Sequence, residues 1–461
     1  MINVALRPKS PVKFLPLGIA YIATAIKNKG YHFDLLDIDA YRYSDEYIES
    51  FFSKNKYDVV LMGCIVTGYQ IIKDLAALIR RYNPKATIIV GNSVADSIPK
   101  ILLSKTEADI AVLGEGDITV VELLDCLKIG RSVEHVQGIV YKQDSQIICT
   151  DPRPVIKDLS TIPIIDYSIW DFEKYVDGFR AGLHEPFPLP PQQIRGIVVN
   201  TARGCVNRCT FCYHVFRKSS YRHRPWKHIF EEIRELVEKY GINYIGFNDE
   251  LTFSTKKSVR EFLDAFNQAG IRFFWYGDCR GNLFADEEDL EILKALKETG
   301  CTGIGYSLES SDPAILKSMN KHMTVEEFSY QTNLFHKAGI TVWTSLVFGY
   351  PQETPDTIRA TIDCCIQNRI YPSAGYLLPF PGSEMYQYAL DHGFIDKENE
   401  EEYLLMLGDR QDLRLNMTQM SDEEFESTVK RGLDRCNKSL RIGLIENELT
   451  KTQYYRVEKS Q

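Results

Sequence analysis

The chain lacks an apolar run approaching the ~18 residues a helix needs to cross a bilayer, which excludes a helical membrane span. Its first residues, MINVALRPKSPVKF, hold no apolar stretch of secretory-signal length. Internal repeats and low-complexity tracts are absent, which argues against a repeat array. There is no excess of positive charge: 54 Lys and Arg face 63 Asp and Glu, for a net charge of −9. A nucleic-acid partner held on a broad basic surface is therefore disfavoured. The one basic patch, Arg217, Lys218, Arg222, His223, Arg224 and Lys227, reads as a solvated face or a local anion contact. Eleven cysteines without a secretory signal indicate a reducing compartment and a cytoplasmic location. At 461 residues, 44% hydrophobic and 25% charged, the chain is long enough for two to three domains of ordinary composition.

What is present is a concentration of thiols. Residues 201–214 read TARGCVNRCTFCYH and hold Cys205, Cys209 and Cys212 in a C-x3-C-x2-C spacing, with Phe211 before the third. Three such thiolates can hold three irons of a cubic [4Fe–4S] cluster, leaving the fourth iron open to a small molecule. A zinc knot is the alternative, with His214 as the available fourth ligand of a tetrahedral site. Three unrelated thiols is the other.

Either side of this loop, strands and helices alternate. In residues 1–136, short apolar strands at 2–6, 33–38, 59–62, 86–90 and 110–113 are separated by helical stretches at 17–29, 44–52, 71–82 and 120–127. That order implies a doubly wound, flavodoxin-like parallel sheet with helices on both faces and ligands at the carboxyl ends of its strands. Three small, Gly-bearing loops fall there: 64–69 with Thr67 and Gly68, 91–96 with Gly91 and Ser93, and 114–117 with Glu115 and Gly116. Residues 137–149 look like a hairpin, and 151–196 scatter Pro and Gly among aromatics, so 137–196 reads as hairpin plus linker or lid. From residue 197 to 390, six further strands alternate with helices, implying an open six-stranded parallel βα barrel whose site lies at the strand carboxyl ends. Residues 391–461 read as a helical extension that could floor a substrate pocket, ending in a loose tail.

The cysteine stretch resembles the CxxxCx(aromatic)C signature of the radical S-adenosylmethionine (SAM) superfamily. The likeness continues at the later strand ends: NDELTF at 248–253, SLES at 307–310, GYPQET at 349–354 and LPFPGS at 378–383. The resemblance implies that Cys205, Cys209 and Cys212 bind a [4Fe–4S] cluster and that SAM chelates the open iron. It further implies SAM contacts from Phe211, Asp249, Glu250, Ser307, Glu309, Gly349 and Glu353, with Asp249 and Glu250 both candidates for the methionyl ammonium. Arg280, after the third barrel strand, stands where relatives often place an active-site Arg; a surface salt bridge is the alternative. The segments PLGIAYIATAIKNKG and LGEGD make the N-terminal part similar to the cobalamin-binding domain of one branch of the superfamily. An Asp-x-His-x-x-Gly motif is missing, so cobalamin would lack a His ligand from that domain; an empty, vestigial domain is the alternative.

The resemblance implies an enzyme that cleaves SAM to a 5′-deoxyadenosyl radical and, by family frequency, a cobalamin-dependent C-methyltransferase of a small-molecule substrate. A one-electron reductant such as a flavodoxin or ferredoxin would serve it. Non-methylating radical chemistry (cyclisation, dehydration or rearrangement) and a non-catalytic sensor are the other readings.

Overall fold

The computed structural model describes residues 1–144, 146–183 and 187–450. The expected C-terminal tail lies outside the described residues from 451 onward.

The N-terminal sheet begins with β1 (Ile2–Asn3) and β2 (Leu36–Asp37), a parallel pair, with β1 lying against β3 (Val59–Gly63). Then β4 (Thr87–Gly91) and β5 (Ile110–Val112) continue the sheet in parallel. The antiparallel pair β6 (Ile139–Gln143) and β7 (Gln146–Cys149) completes it, with Ile110 opposite Tyr141. The hairpin therefore extends the N-terminal sheet instead of falling with the linker at 137–196. The central strand β4 is apolar on both faces, with the buried run Ile88, Ile89, Val90. The topological switch falls between β1 and β3, where such sheets bind ligands. One expected loop is otherwise: residues 91–96 run into the helix Asn92–Ser97, which starts on a left-handed Asn92 with φ 66°.

The stretch expected as a linker or lid is a plug. Its helix Phe172–Ala181 buries Tyr175, Val176 and Phe179. A Cβ at Gly196 would lie 2.1 Å from the Phe179 ring, so the bare glycine at the start of the next strand admits it. The ring fills the amino end of the barrel, the end opposite the site.

The barrel runs in the order β8 (Gly196–Val199), β11 (Tyr244–Phe247), β12 (Phe274–Asp278), β13 (Cys301–Gly305) and β14 (Thr341–Trp343), all parallel. The fifth strand breaks at Thr344 and resumes as β15 (Ser345–Phe348), which pairs with β16 (Ser373–Tyr376). Six strands result, as expected for an open barrel. Between β8 and β11 lies a two-stranded pair, β9 (Ala202–Arg203) with β10 (Arg222–His223), antiparallel and in register Arg203 to Arg222. It pinches residues 204–221 into a closed loop that carries the three cysteines.

At that pinch the two domains are tied. The Arg203 guanidinium donates to Glu115 at 2.7 Å and to both oxygens of Asp117 at 2.9 Å. Arg222 donates to both Glu115 oxygens at 2.9 and 3.0 Å, and Ile156 N donates to Glu115 at 2.7 Å. Glu115 and Asp117 stand at the carboxyl end of β5, and all four charged side chains are about nine-tenths buried. Of the basic patch, Arg222 and Arg224 are thus buried in local anion contacts, while Lys218 and Lys227 stay exposed. Arg224 is likewise buried against Glu232 at 2.5 Å, and Arg217 donates to the Cys209 carbonyl at 2.9 Å.

The C-terminal helix Asp422–Leu440 packs on Pro355–Gln367, and its Phe425 meets Tyr376 of β16 edge-on at 5.4 Å. The connecting segment does approach the barrel: Tyr376 N donates to the Arg410 carbonyl at 2.8 Å, and the Arg410 side chain lies against Gly375.

Removing one member of a buried charge cluster leaves its partners uncompensated, at a cost of about 3–5 kcal/mol. Glu115→Ala is expected to destabilise the chain by that amount in a urea titration. Lys257→Ala, which removes an exposed pair with Glu261, is expected to cost less than about 1 kcal/mol.

Candidate active site

The carboxyl edge of the N-terminal sheet faces the mouth of the barrel across a cavity of about 630 Å³. One wall is Gly63 and Ile65 after β3, Gly91 to Ser93 after β4, and Gly114 to Asp117 after β5. The opposite wall is Tyr213 to Phe216 of the cysteine loop with Asn248, Asp249 and Glu250 after β11. Of the residues expected at the sheet edge, Gly91, Ser93, Glu115 and Gly116 line this cavity. Thr67 and Gly68 do not: Gly68 is packed on the Cys64 sulfur, where a Cβ would come within 2.5 Å. Glu115 is held by the arginines, so its carboxylate serves the domain tie. Gly91 and Gly114 have nothing within 4 Å of where a Cβ would stand, so the wall presents bare backbone to the space. That smooth cradle fits a large flat ligand such as a corrin. The imidazole in the lining comes from the cysteine loop: His214, whose Nδ1 is buried without a hydrogen-bond partner and whose pKa burial lowers to about 4.

Cys205, Cys209 and Cys212 are free thiols on one side of that loop. Burial, then the neighbouring Cys209 and Cys205, push the Cys212 thiol up to about 12, so the three sulfurs sense one another. No group of three or more His, Cys, Asp or Glu among the described residues is arranged to hold a single metal ion. Three thiolates suit three corners of a cubane, whereas a structural zinc takes four ligands. The loop is held through its carbonyls. Arg208 donates to the Cys205 carbonyl at 3.0 Å and Asn320 to that of Arg208 at 3.0 Å. Thr210 donates to the Ser318 carbonyl at 2.8 Å. Tyr213 ties the loop to the sheet edge through a hydrogen bond to Asp96, which itself accepts from Gly114 N at 2.9 Å.

The two candidate acids at 249 and 250 have different tasks. Asp249 accepts from Asn200 Nδ2 and Thr201 N at 2.7 Å, from Ala202 N at 3.0 Å, and from the Thr201 and Thr252 hydroxyls at 2.5 and 3.1 Å. Its oxygens are saturated in holding the entry of the cysteine loop. Among the described residues, Glu250 has a long 3.4 Å contact from Gly204 N, and it opens on the cavity. It is the carboxylate left for an ammonium ligand.

Glu309 is buried at the fourth strand end in the left-handed region, φ 66°, a costly conformation for a residue with a Cβ. Its backbone is locked between Ser345 O and Val347 N, one oxygen accepts from Lys321 at 3.2 Å, and the other, Oε2, has no partner. Ser307 is part-open in the barrel. Glu353 is turned inward: it accepts from Gly349 N at 3.4 Å and Thr357 Oγ1 at 2.5 Å, shaping the 349–354 turn. Burial raises its pKa to about 7. Phe211 packs edge-on to Tyr350 at 6.5 Å. Arg280 makes no ion pair among the described residues, and its Nε is buried without a partner, so the salt-bridge alternative does not hold. Sequence reasoning missed Arg203, Tyr213, Lys321 and Arg410; their significance lies in contacts 64 or more residues away in sequence, except for Lys321, which bonds across 12.

Comparison with known proteins agrees with this arrangement. Residues 199–365 match the radical SAM superfamily, and residues 5–124 match the B12 binding domain. An uncharacterized methyltransferase of Pyrococcus horikoshii is 26% identical over 392 residues, 84% of this chain and 81% of the relative. An anaerobic magnesium-protoporphyrin IX monomethyl ester cyclase of Rubrivivax gelatinosus is 24% identical over 381 residues, 81% of this chain and 66% of the relative. Among solved structures, the radical SAM methyltransferase TsrM of Kitasatospora setae, with cobalamin and a [4Fe–4S] cluster bound, superposes with a TM-score of 0.65. It is 18% identical and covers 85% of this chain and 77% of its own.

Replacing Cys205, Cys209 and Cys212 together by Ala is expected to abolish iron binding after anaerobic reconstitution. Retention of four irons per chain by that variant would show the cluster to be elsewhere.

Proposed function

The chain joins a B12 binding domain to a radical SAM domain, which together imply a [4Fe–4S] cluster, SAM and cobalamin; on that premise we propose that it is a cobalamin-dependent radical SAM methyltransferase acting on a small molecule. The observation that carries the reading is the shared cavity: the bare edge of the N-terminal sheet and the Glu250 carboxylate open on the same space. When bound, the cluster and SAM supply a hydrogen-abstracting radical, and the corrinoid supplies a methyl group.

The chain's own residues then bind, orient and enclose. Glu250 receives the methionyl ammonium in a charge-assisted hydrogen bond. Asp249 keeps the entry of the cysteine loop in place beneath it. Lys321, beside Glu309, offers a cation for the methionyl carboxylate. The glycines at 91 and 114 let a corrin lie on backbone, and Tyr213 with the Arg203 cluster fixes that backbone against the cysteine loop. Holding reactants in a fixed relation contributes roughly 7–11 kcal/mol over free encounter. The C-methylation itself, and the reductant, are part of the proposal.

With its substrate, the protein is expected to form 5′-deoxyadenosine and S-adenosylhomocysteine in about equal amounts. Formation of 5′-deoxyadenosine alone, with no methylated product, would replace methyl transfer by a cyclisation or rearrangement like that named for the cyclase relative. Glu250→Gln is expected to weaken SAM binding at least tenfold, the equivalent of a charged hydrogen bond of about 1.5–3 kcal/mol, and to leave the urea midpoint unchanged. Asp249→Asn is expected to lower that midpoint.

A further inference from the structure

The wall that faces the bare sheet edge carries an imidazole. His214 lines the cavity of about 630 Å³, with Gly91 and Gly114 on the other side. Among the described residues it is the one histidine in that lining. The two histidines of the N-terminal domain lie elsewhere: His32 is exposed, and His135 contacts the Cys126 sulfur at 3.5 Å.

The position of His214 is set from both sides. The preceding residue, Tyr213, donates its hydroxyl to Asp96, which accepts from Gly114 N at 2.9 Å. That tether ends on the backbone of the same glycine that clears the sheet edge. Gly382 makes room for the Tyr213 ring, since a Cβ there would come within 2.3 Å of it. On the other side, Arg217 N donates to the His214 carbonyl at 2.9 Å and closes a turn. Held this way, the imidazole has no hydrogen bond. Its Nδ1 is buried without a partner, and its Nε2 has none among the described residues. The ring contact it makes is with Phe216, tilted and at 6.4 Å. A neutral imidazole offers one N–H and one lone pair, and leaving a buried one unspent costs free energy.

A corrin seated on the bare wall turns its other face, and one axial position of its metal, toward the cysteine loop. Neutral imidazole is the commonest metal ligand that proteins supply. We propose that His214 is the axial ligand of cobalt in a bound corrinoid that carries no methyl group. The cysteine loop then provides the nitrogen base that the N-terminal domain, without an Asp-x-His-x-x-Gly motif, does not. The bond forms by donation of the imidazole lone pair and needs no electron transfer. One axial position takes one ligand, so the imidazole serves the unmethylated state. Cys212 and His214 stand two residues apart, so a single loop carries ligands of both metal centres. The inference rests on the reading that this cavity takes a corrinoid.

The test uses the full-length protein with its cluster in the diamagnetic oxidised state. It is loaded anaerobically with cob(II)alamin and freed of excess by gel filtration. An axial nitrogen splits the high-field cobalt lines of the electron paramagnetic resonance spectrum. The wild-type protein is expected to show triplets, and protein grown with ¹⁵N-histidine to show doublets. His214→Ala is expected to retain corrinoid and lose the splitting. Unsplit lines in the wild type, triplets that survive ¹⁵N labelling, or splitting that survives His214→Ala overturn the proposal. If His214→Ala retains no corrinoid, the labelled wild type decides: doublets uphold the ligand, because no other histidine lines the cavity among the described residues, and triplets or unsplit lines overturn it. Retained corrinoid without a histidine splitting overturns this ligand alone. A wild-type protein that retains no corrinoid overturns the reading of the cavity with it.

Discussion

The structure depends on the buried contact of Glu115 and Asp117 with Arg203 and Arg222. These four side chains join the end of a strand in one domain to the neck of the cysteine loop in the other. Charges this deeply buried add little net stability over well-packed apolar groups. What they supply is registry: each guanidinium accepts only a narrow set of directions, so the loop neck can meet the sheet edge in one way. The Tyr213–Asp96 hydrogen bond fixes a second point on the same loop. With two points held, the cavity between sheet edge and barrel mouth has a defined width, and two cofactor sites become one reaction space.

Within that space the acids divide their work by how many donors reach them. Asp249 is satisfied on both oxygens and is therefore part of the scaffold. Glu250, the next residue, has one weak contact and is left for a ligand. Glu309 lies between these extremes, with one oxygen that has no partner among the described residues. A buried polar group without a partner costs free energy, so such oxygens are retained where a ligand completes them. Glycine serves the same end from the backbone side. Gly91 and Gly114 clear a wall for a flat molecule.

The remaining chain closes the barrel at its other faces. Phe179 fills the amino end, and the Arg410 segment hydrogen-bonds to β16. Glu401 bonds to Tyr69 and Lys73 of the N-terminal domain, so the C-terminal extension is a second strap between the domains.

The sequence alone determined the element order, the two parallel sheets and the cysteine loop. These follow from local features: apolar runs of strand length, helical periodicity, capping residues and a thiol spacing set by a few adjacent residues. It also placed Gly91, Ser93, Glu115 and Gly116 at a sheet edge, because the end of a strand is a local property. Tertiary structure decided what each does. Glu115 looked like a ligand contact and is an ion-pair partner, since Arg203 and Arg222 lie 88 and 107 residues away. The linker became a plug because Gly196 and Gly246 leave room for Phe179, a fit between surfaces that no periodicity encodes.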